Sequence, residues 1–355
     1  MNKARALHAG ALPLVSVVLP AFNAARTLKA ALDSLFAQEP VAGCPLPTFE
    51  IIVVNDGSTD DSAVLLETCA NETAAQGRLR VLHLPHGGIV AALNAGLAEA
   101  RGPFIARMDA DDTVHPQRLA LQTAHLWGKS GLMLSASLAA FGGDRANAYG
   151  FAHFVDWQNS LQSPTQISRN RFRDTPVCHP TTMFRREAID RWGPYADGDF
   201  AEDWELWLRW LHEGALIEKL PQTLLVWNDA PDRATRTDRR YAADACDRLR
   251  ALWLARHLER RIPFHPQVWV IGGGRMARRR LAPLWRLGVR PAAYIEIDAK
   301  KIGNVVDGVP VLGREALPGP GRCCILNALT AHGAADEAAD WLEQRGYSQT
   351  DWILV

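Results

Sequence analysis

The feature that most constrains this chain is an alternation. Four short apolar runs, Leu14–Leu19, Ile51–Val54, Leu79–Leu84 and Phe104–Met108, are separated by stretches with helical spacing. After the first run, Leu28, Ala31, Leu32, Leu35 and Phe36 recur at intervals of three and four, which marks one face of a helix. Helices are expected likewise near Ser62–Ala75 and over Ile89–Ala100. Strand-length runs joined by crossover helices predict an α/β fold with a parallel sheet covered on both faces. Polar clusters stand at the C-terminal ends of three of the runs, the edge at which open α/β sheets bind ligands.

Beyond residue 140 the pattern changes. From about Gly142 to Val177, Gly, Asn, Gln and Arg with scattered aromatics predict a loop-rich insertion over a site. Regularity returns at Pro180–Arg186 and in a helix over Glu202–His212, followed by two strand-like pieces, Ala215–Leu220 and Thr223–Trp227. Ala230-Pro231-Asp232 opens a polar connection that leads into an Arg-rich helix. A second α/β unit begins at Val268–Ile271 and continues through a helix (Met276–Leu287), strands at Ala292–Ile297 and Cys323–Leu326, a helix near Ala334–Arg345 and a last strand, Trp352–Val355. The expected division is a first domain over 1–228, a helical linker over 229–265 and a C-terminal domain over 266–355, about what 355 residues allow.

Charge narrows the function. The 39 basic and 39 acidic residues cancel, so the basic excess of a nucleic-acid binder is missing. No apolar run reaches the roughly 20 residues of a membrane span. Leu12–Leu19 is too short and too interrupted, by Pro13 and Ser16, to read as a signal peptide. The six cysteines show no metal or disulfide spacing, and a reduced, cytoplasmic protein is expected.

Four clusters carry chemistry. Asp109-Ala110-Asp111-Asp112 follows an apolar strand, and three carboxylates in four residues suit a hard divalent cation bridging to phosphates. A solvated acidic turn is the equally weighted alternative. Asn55-Asp56-Gly57-Ser58-Thr59-Asp60 sets a carboxylate on a tight turn where it can meet a base or ribose, while Thr59 or Asp60 caps the next helix; both can hold at once. Pro20-Ala21-Phe22-Asn23 again follows a strand, with Asn23 placed as a cap. Glu202-Asp203 opens a helix, where the helix dipole stabilises carboxylates; that dipole would equally hold a general base ionised. Trp204, Trp207 and Trp210 on that helix are expected in the core, and Trp227 is left open between core and sugar stacking.

In this order and spacing the clusters resemble the family 2 glycosyltransferases of the GT-A fold. The likeness runs through Val17-Val18-Leu19-Pro20-Ala21-Phe22-Asn23, Val53-Val54-Asn55-Asp56-Gly57-Ser58, Leu93-Asn94-Ala95-Gly96, Met108-Asp109-Ala110-Asp111-Asp112, His179-Pro180-Thr181 and Ala201-Glu202-Asp203. It covers about residues 13–228. The resemblance implies a Rossmann-like mixed sheet and an inverting transfer from a nucleotide-diphosphate sugar, most often a UDP-sugar, to a hydroxyl of a glycan or lipid-linked acceptor in bacterial surface-polysaccharide or lipopolysaccharide synthesis. It implies donor contacts from Pro20, Phe22, Asn23, Asp56, Asn94 and Asp109, a Mn²⁺ or Mg²⁺ ion on Asp111 and Asp109, and Asp203 as base with Glu202 in support. His179 is expected either at the diphosphate or acceptor or as an ordinary core histidine. The Gln-x-x-Arg-Trp motif of processive synthases is absent, so a single addition is expected.

Val270-Ile271-Gly272-Gly273-Gly274-Arg275-Met276-Ala277 has the strand–turn–helix form of a dinucleotide fingerprint, with Glu296 and Asp298 about 20 residues on. Together with Asp307-Gly308-Val309-Pro310-Val311 it is similar to the small Rossmann-like N-terminal domain of bacterial sugar acyltransferases. A nucleotide site at Gly272, Gly274, Ala277 and Asp298 stands beside a docking or regulatory role. An NAD(P)-dependent sugar-modifying enzyme and a non-catalytic sugar-nucleotide binder are the alternatives for the whole chain. A sugar nucleotidyltransferase is disfavoured because Pro20–Asn23 replaces a Gly-rich triphosphate loop. The Arg-rich stretch 233–261 is read as a solvated helix face, with peripheral membrane contact as the other option.

Overall fold

The computed structural model describes residues 14–72, 77–229, 233–331 and 333–355. The expected turn Ala230-Pro231-Asp232, Leu12 and Pro13, and the end of the helix expected near Ser62–Ala75 lie outside the described residues. The chain divides into two compact units: residues up to 167 with 176–197 and 213–233, and residues 168–175 with 198–212 and 234–355.

The first unit is built on β1 (Val15–Ala21), α1 (Leu28–Phe36), β2 (Phe49–Asp56), α2 (Ser62–Asn71), β3 (Leu79–Leu84), α3 (Ile89–Glu99) and β4 (Phe104–Arg107). The parallel register pairs Val15 with Phe49 and with Phe104, and Ile51 with Leu79. Strand β1 is buried along its whole length, as a central parallel strand must be when helices cover both faces. The four apolar runs and their crossover helices are therefore the expected elements.

The unit continues with β5 (Thr113–Val114), α4 (Arg118–Gly128), β6 (Leu132–Phe141), α5 (Tyr149–Ser160), α6 (Pro164–Asn170), β7 (Met183–Arg185), α7 (Arg186–Trp192) and, after α8 (Glu202–His212), β8 (Leu216–Trp227). The division between units falls within α6. Eight strands form one mixed sheet in the order β3-β2-β1-β4-β7-β6-β8-β5, in which β7 runs antiparallel to both β4 and β6.

Two expectations change. The stretch expected as loop contains α5 and α6. Ala152, Val155 and Gln158 face inward from α5, a stripe too narrow and too mixed with polar residues to show as periodicity. The two strand-like pieces before Trp227 are one strand, β8, which passes through Pro221 by shifting its register against β6.

A buried polar network ties the sheet to α4. Arg118 is fully buried; it donates to Gln122 Oε1 (2.9 Å) and to the carbonyls of Arg107 (2.8 Å) and Thr182 (3.1 Å). Gln122 in turn donates to the Ser135 and Thr181 carbonyls (2.9 and 2.8 Å). The end of β4 is thus anchored from below by a cation, and burial pushes that guanidinium down to about 9.

The second unit contains α8, α9 (Ala234–Thr237), α10 (Ala243–Arg261), β9 (Gln267–Ile271), α11 (Arg275–Arg286), β10 (Arg290–Glu296), β11 (Val305–Val306), β12 (Val309–Gly313), β13 (Ile325–Asn327), α12 (Ala334–Gln344) and β14 (Trp352–Leu354). Its sheet order is β11-β12-β10-β9-β13-β14, parallel except at β11. The five parallel strands thus have the doubly wound order 3-2-1-4-5. Trp204 and Leu208 of α8 share a core with Leu249, Trp253 and Leu254 of α10 and with Val268 and Val270 of β9. Trp204, Trp207 and Trp210 are all buried. On the Arg-rich α10, Arg250 is itself buried and paired with Asp247 at 2.5 Å.

Replacing Arg118 with Met leaves the Arg107 and Thr182 carbonyls short of a buried donor. We expect a loss of about 3 kcal/mol, read as a lower urea midpoint at unchanged slope.

Candidate active site

The carboxyl ends of β1 and β2 are laced together. Asn23, at φ 49°, accepts from the Thr59 N–H (2.8 Å), and its own N–H donates to Ser58 Oγ (2.9 Å). The N–H groups of Ala24 and Ala25 donate to Ser62 Oγ and Asp60 Oδ2. Asn23 therefore holds the loop in shape. Pro20 is buried within β1, paired with Val54. Phe22 is exposed and stacks on His86, with ring centroids 4.1 Å apart. His86, which the sequence did not single out, completes an open aromatic surface.

Asp56 is buried at the end of β2. Its two oxygens accept from the N–H groups of Gly87 (2.8 Å) and Gly88 (2.9 Å), so it caps the start of α3, and His86 Nδ1 lies 3.0 Å from Oδ2. Gly57 at φ 70° permits this turn, since a Cβ there would sit 2.6 Å from the His86 backbone nitrogen.

Asn94 and His179 meet through Tyr195. The Asn94 side chain donates to the Tyr195 carbonyl (2.9 Å) and accepts from its N–H (3.1 Å), while the Tyr195 hydroxyl pairs with His179 Nε2 at 2.7 Å. His179 is buried, and its pKa lies well below the usual imidazole value because of that burial and the Arg107 charge.

The acidic cluster lies past the end of β4. Ligand oxygens of Asp109, Asp111 and Asp112 all fall within 4.8 Å of one another. Asp112 is fully buried; its Oδ1 accepts from the Asn228 N–H (2.8 Å), and its Oδ2 has no hydrogen-bond partner. Asn228 Nδ2 donates to the Asp111 carbonyl (2.8 Å). Pairing of β5 with β8 (Thr113 with Val226) brings Asn228 there. Arg107 pairs with Asp109. Arg233 Nη1 lies 3.5 Å from both Asp111 Oδ2 and Asp112 Oδ1, and Nη2 lies 3.8 Å from Asp109 Oδ2. Burial and the Asp109 charge push the Asp111 carboxyl up to about 6; Asp112 is raised well above the usual value by burial and by both neighbours.

Sequence reasoning put the metal on Asp109 and Asp111. Asp112, Asn228 and Arg233 were not assigned. Asp112 was in plain sight as the third carboxylate, whereas Asn228 and Arg233 lie more than 100 residues downstream and carried no motif. All-oxygen donors with one orphaned buried oxygen fit a hard divalent ion.

In the second unit, Glu202 is buried at the start of α8 and accepts from the Tyr241 hydroxyl at 2.9 and 2.8 Å. Asp203 Oδ1 accepts from the Trp204 N–H at 2.7 Å. Of the dinucleotide-like turn, Gly272 has φ 96°, Gly274 precedes α11 and Ala277 is buried beneath it. The acid facing this turn is Glu296, which accepts from the Gly273 N–H at 3.2 Å. Asp298 instead accepts from the Lys300 N–H within its own turn.

The first unit thus carries a three-carboxylate cluster past β4 of an eight-stranded mixed sheet. The model of glycosyl transferase family 2 matches residues 16–193, half of the chain. The chain belongs to that family and is a glycosyltransferase. It is 28% identical over 250 residues to the uncharacterized glycosyltransferase EpsJ of Bacillus subtilis (strain 168), covering 66% of each chain. It is 26% identical over 204 residues to the O-antigen biosynthesis glycosyltransferase WbnJ of Escherichia coli, covering 57% of this chain and 73% of that protein. A 34% match to Pasteurella multocida hyaluronan synthase spans only 11% of that protein. The chain thus spans just under two thirds of EpsJ and far less of the synthase. The fold resembles that of S. aureus TarS 1–349 solved with UDP-GlcNAc, at TM-score 0.51 and 19% identity, over 69% of this chain and 73% of that one. The fold is GT-A. No helix among the described residues is long and apolar enough to cross a membrane.

The neutral His179 gives a signed pH prediction. Because its folded pKa is depressed, its contribution is complete above the unfolded value of 6.5 and is lost as pH falls below that, where only the unfolded state takes up the proton. The slope approaches about 1.4 kcal/mol per pH unit. Chemical denaturation between pH 7.5 and 5 should show His179→Gln with a flatter decline than wild type.

Proposed function

We propose that this glycosyltransferase is inverting and divalent-cation-dependent. It adds single sugars from a nucleotide-diphosphate donor to a hydroxyl of a glycan or lipid-linked acceptor in bacterial surface-polysaccharide synthesis. The carrying observation is the acidic cluster with its orphaned Asp112 Oδ2.

Asp109, Asp111 and Asp112 hold the ion, Mn²⁺ or Mg²⁺, through oxygen atoms. When bound, such an ion stabilises negative charge on the donor's diphosphate. The Phe22–His86 surface offers a stacking face for the base, beside the turn that Asp56 and Asn23 fix. Asn94 acts through Tyr195 on His179, so the three hold one another rather than the donor directly. A uridine nucleotide is the donor we favour: the solved TarS structure was obtained with UDP-GlcNAc, and a pyrimidine is small enough for one aromatic pair to cover.

Asp203 takes the proton of the acceptor hydroxyl. That oxygen forms the new bond to the anomeric carbon, and the bond to the diphosphate oxygen breaks with its electron pair staying on the leaving group. Glu202, occupied by the Tyr241 hydroxyl, steadies the start of α8 and leaves the proton to Asp203. The role of Asp203 rests on its motif and on the helix dipole, which favours the ionised carboxylate. For the C-terminal domain, residues 266–355, we favour a docking or regulatory role, because Glu296 already occupies one amide of its glycine turn.

Calorimetric titration with UDP, GDP and dTDP, with and without Mn²⁺, tests the donor site. One nucleotide should bind in a metal-dependent manner, and chelation with EDTA or Asp111→Asn should abolish that binding. Binding that ignores both changes would move the donor site elsewhere. Asp203→Asn should retain nucleotide binding while sugar transfer falls by about 10³-fold or more, the scale expected for loss of a general base; full activity in that variant would remove Asp203 from the mechanism.

A further inference from the structure

Arg233 stands where the proposed ion would stand. Its side chain is 8% exposed, and its guanidinium faces all three carboxylates at once. The separations of 3.5–3.8 Å exceed ordinary hydrogen-bond lengths, so Arg233 supplies charge to the cluster without saturating its oxygen lone pairs. Asp112 Oδ2 keeps no hydrogen bond even with the guanidinium nearby. A divalent ion would be held by the same oxygens. Two cations cannot share that space, because their repulsion in a buried setting would exceed what either gains.

Arg233 is held at the same time from its other side. Its guanidinium carbon lies 4.0 Å from the centre of the Trp227 ring, and it donates to the Asn228 carbonyl. Trp227 is buried and packs against Phe141 and Phe151, so the ring is a fixed seat for a cation beside the cluster.

We propose that Arg233 is an exchangeable resident cation: it neutralises Asp109, Asp111 and Asp112 in the metal-free enzyme, yields to the divalent ion, and then serves the donor's diphosphate as a counter-ion. This inference rests on the donor-site reading given above. The charges support it. A divalent ion and a doubly charged diphosphate cancel each other, so three carboxylates remain opposite Arg107 and Arg233 before and after donor binding. When the bond between the anomeric carbon and the diphosphate oxygen breaks, the leaving nucleotide gains one negative charge. A guanidinium, with its planar fork matched to phosphate oxygens, is suited to receive it.

The test reads metal and nucleotide binding separately on full-length protein. Mn²⁺ alone, followed by the EPR signal of the free ion, should bind Arg233→Met about tenfold more tightly than wild type, because a competing cation has been removed. UDP at saturating Mn²⁺, followed by calorimetry, should bind the same variant about tenfold or more weakly, because a charge-assisted phosphate contact has been lost. These opposite changes are the signature. An unchanged or weaker Mn²⁺ affinity would overturn the competition, and an unchanged UDP affinity would overturn the counter-ion role. If Arg233→Met does not fold, Arg233→Lys decides: it should keep Mn²⁺ affinity within about threefold of wild type and lose UDP affinity, since a point charge replaces the fork. Wild-type protein that binds no nucleotide diphosphate with Mn²⁺ would instead sink the donor-site reading itself.

Discussion

Three carboxylates crowded past the end of one strand cannot all stay charged without a cation, and much of the first unit is arranged around that constraint. Arg107 neutralises one side of the cluster, and Arg233 stands across from all three acids. Asn228 pins two of the acids by their backbone and side-chain atoms. Beneath them Arg118 and Gln122 bind the carbonyls of β4, of the turn around Thr181 and Thr182, and of β6. The strand end is thus fixed from below by a buried cation and left short of charge above. A hard divalent ion would complete that arrangement.

Several motif residues near this sheet edge are engaged in holding the backbone. Asp56 spends both oxygens on the start of α3, and Asn94 spends its amide on the Tyr195 backbone. Both lie in family motifs, and both shape the edge of the sheet where a nucleotide would sit. Motif residues of this kind keep a loop in one conformation, so that exposed groups such as Phe22 and His86 present a constant surface.

The parallel half of the sheet was legible because its signals are local. Apolar runs of strand length, helical spacing and turn residues all act within a dozen positions, and β1 through β4 follow them closely. Helix α5 was not legible, since its inward stripe is only Ala152, Val155 and Gln158. The acidic cluster was readable as a dense run of one charge. Its partners were not. Asn228 reaches the cluster only because β8 pairs with β5, and Arg233 is one arginine among many in an Arg-rich stretch. In the second unit, the acid turned toward the glycine loop is Glu296 and not Asp298, a difference of two residues that strand ends routinely hide.

Helix α8 carries one further implication. The helix that bears Glu202 and Asp203 buries Trp204 and Leu208 in the same apolar core as α10 and β9. A truncation just after β8 would keep that helix but strip it of α10 and β9, which share its core. The segment after β8 is then no detachable accessory: the helix bearing the proposed base would expose Trp204 and Leu208 to water without it.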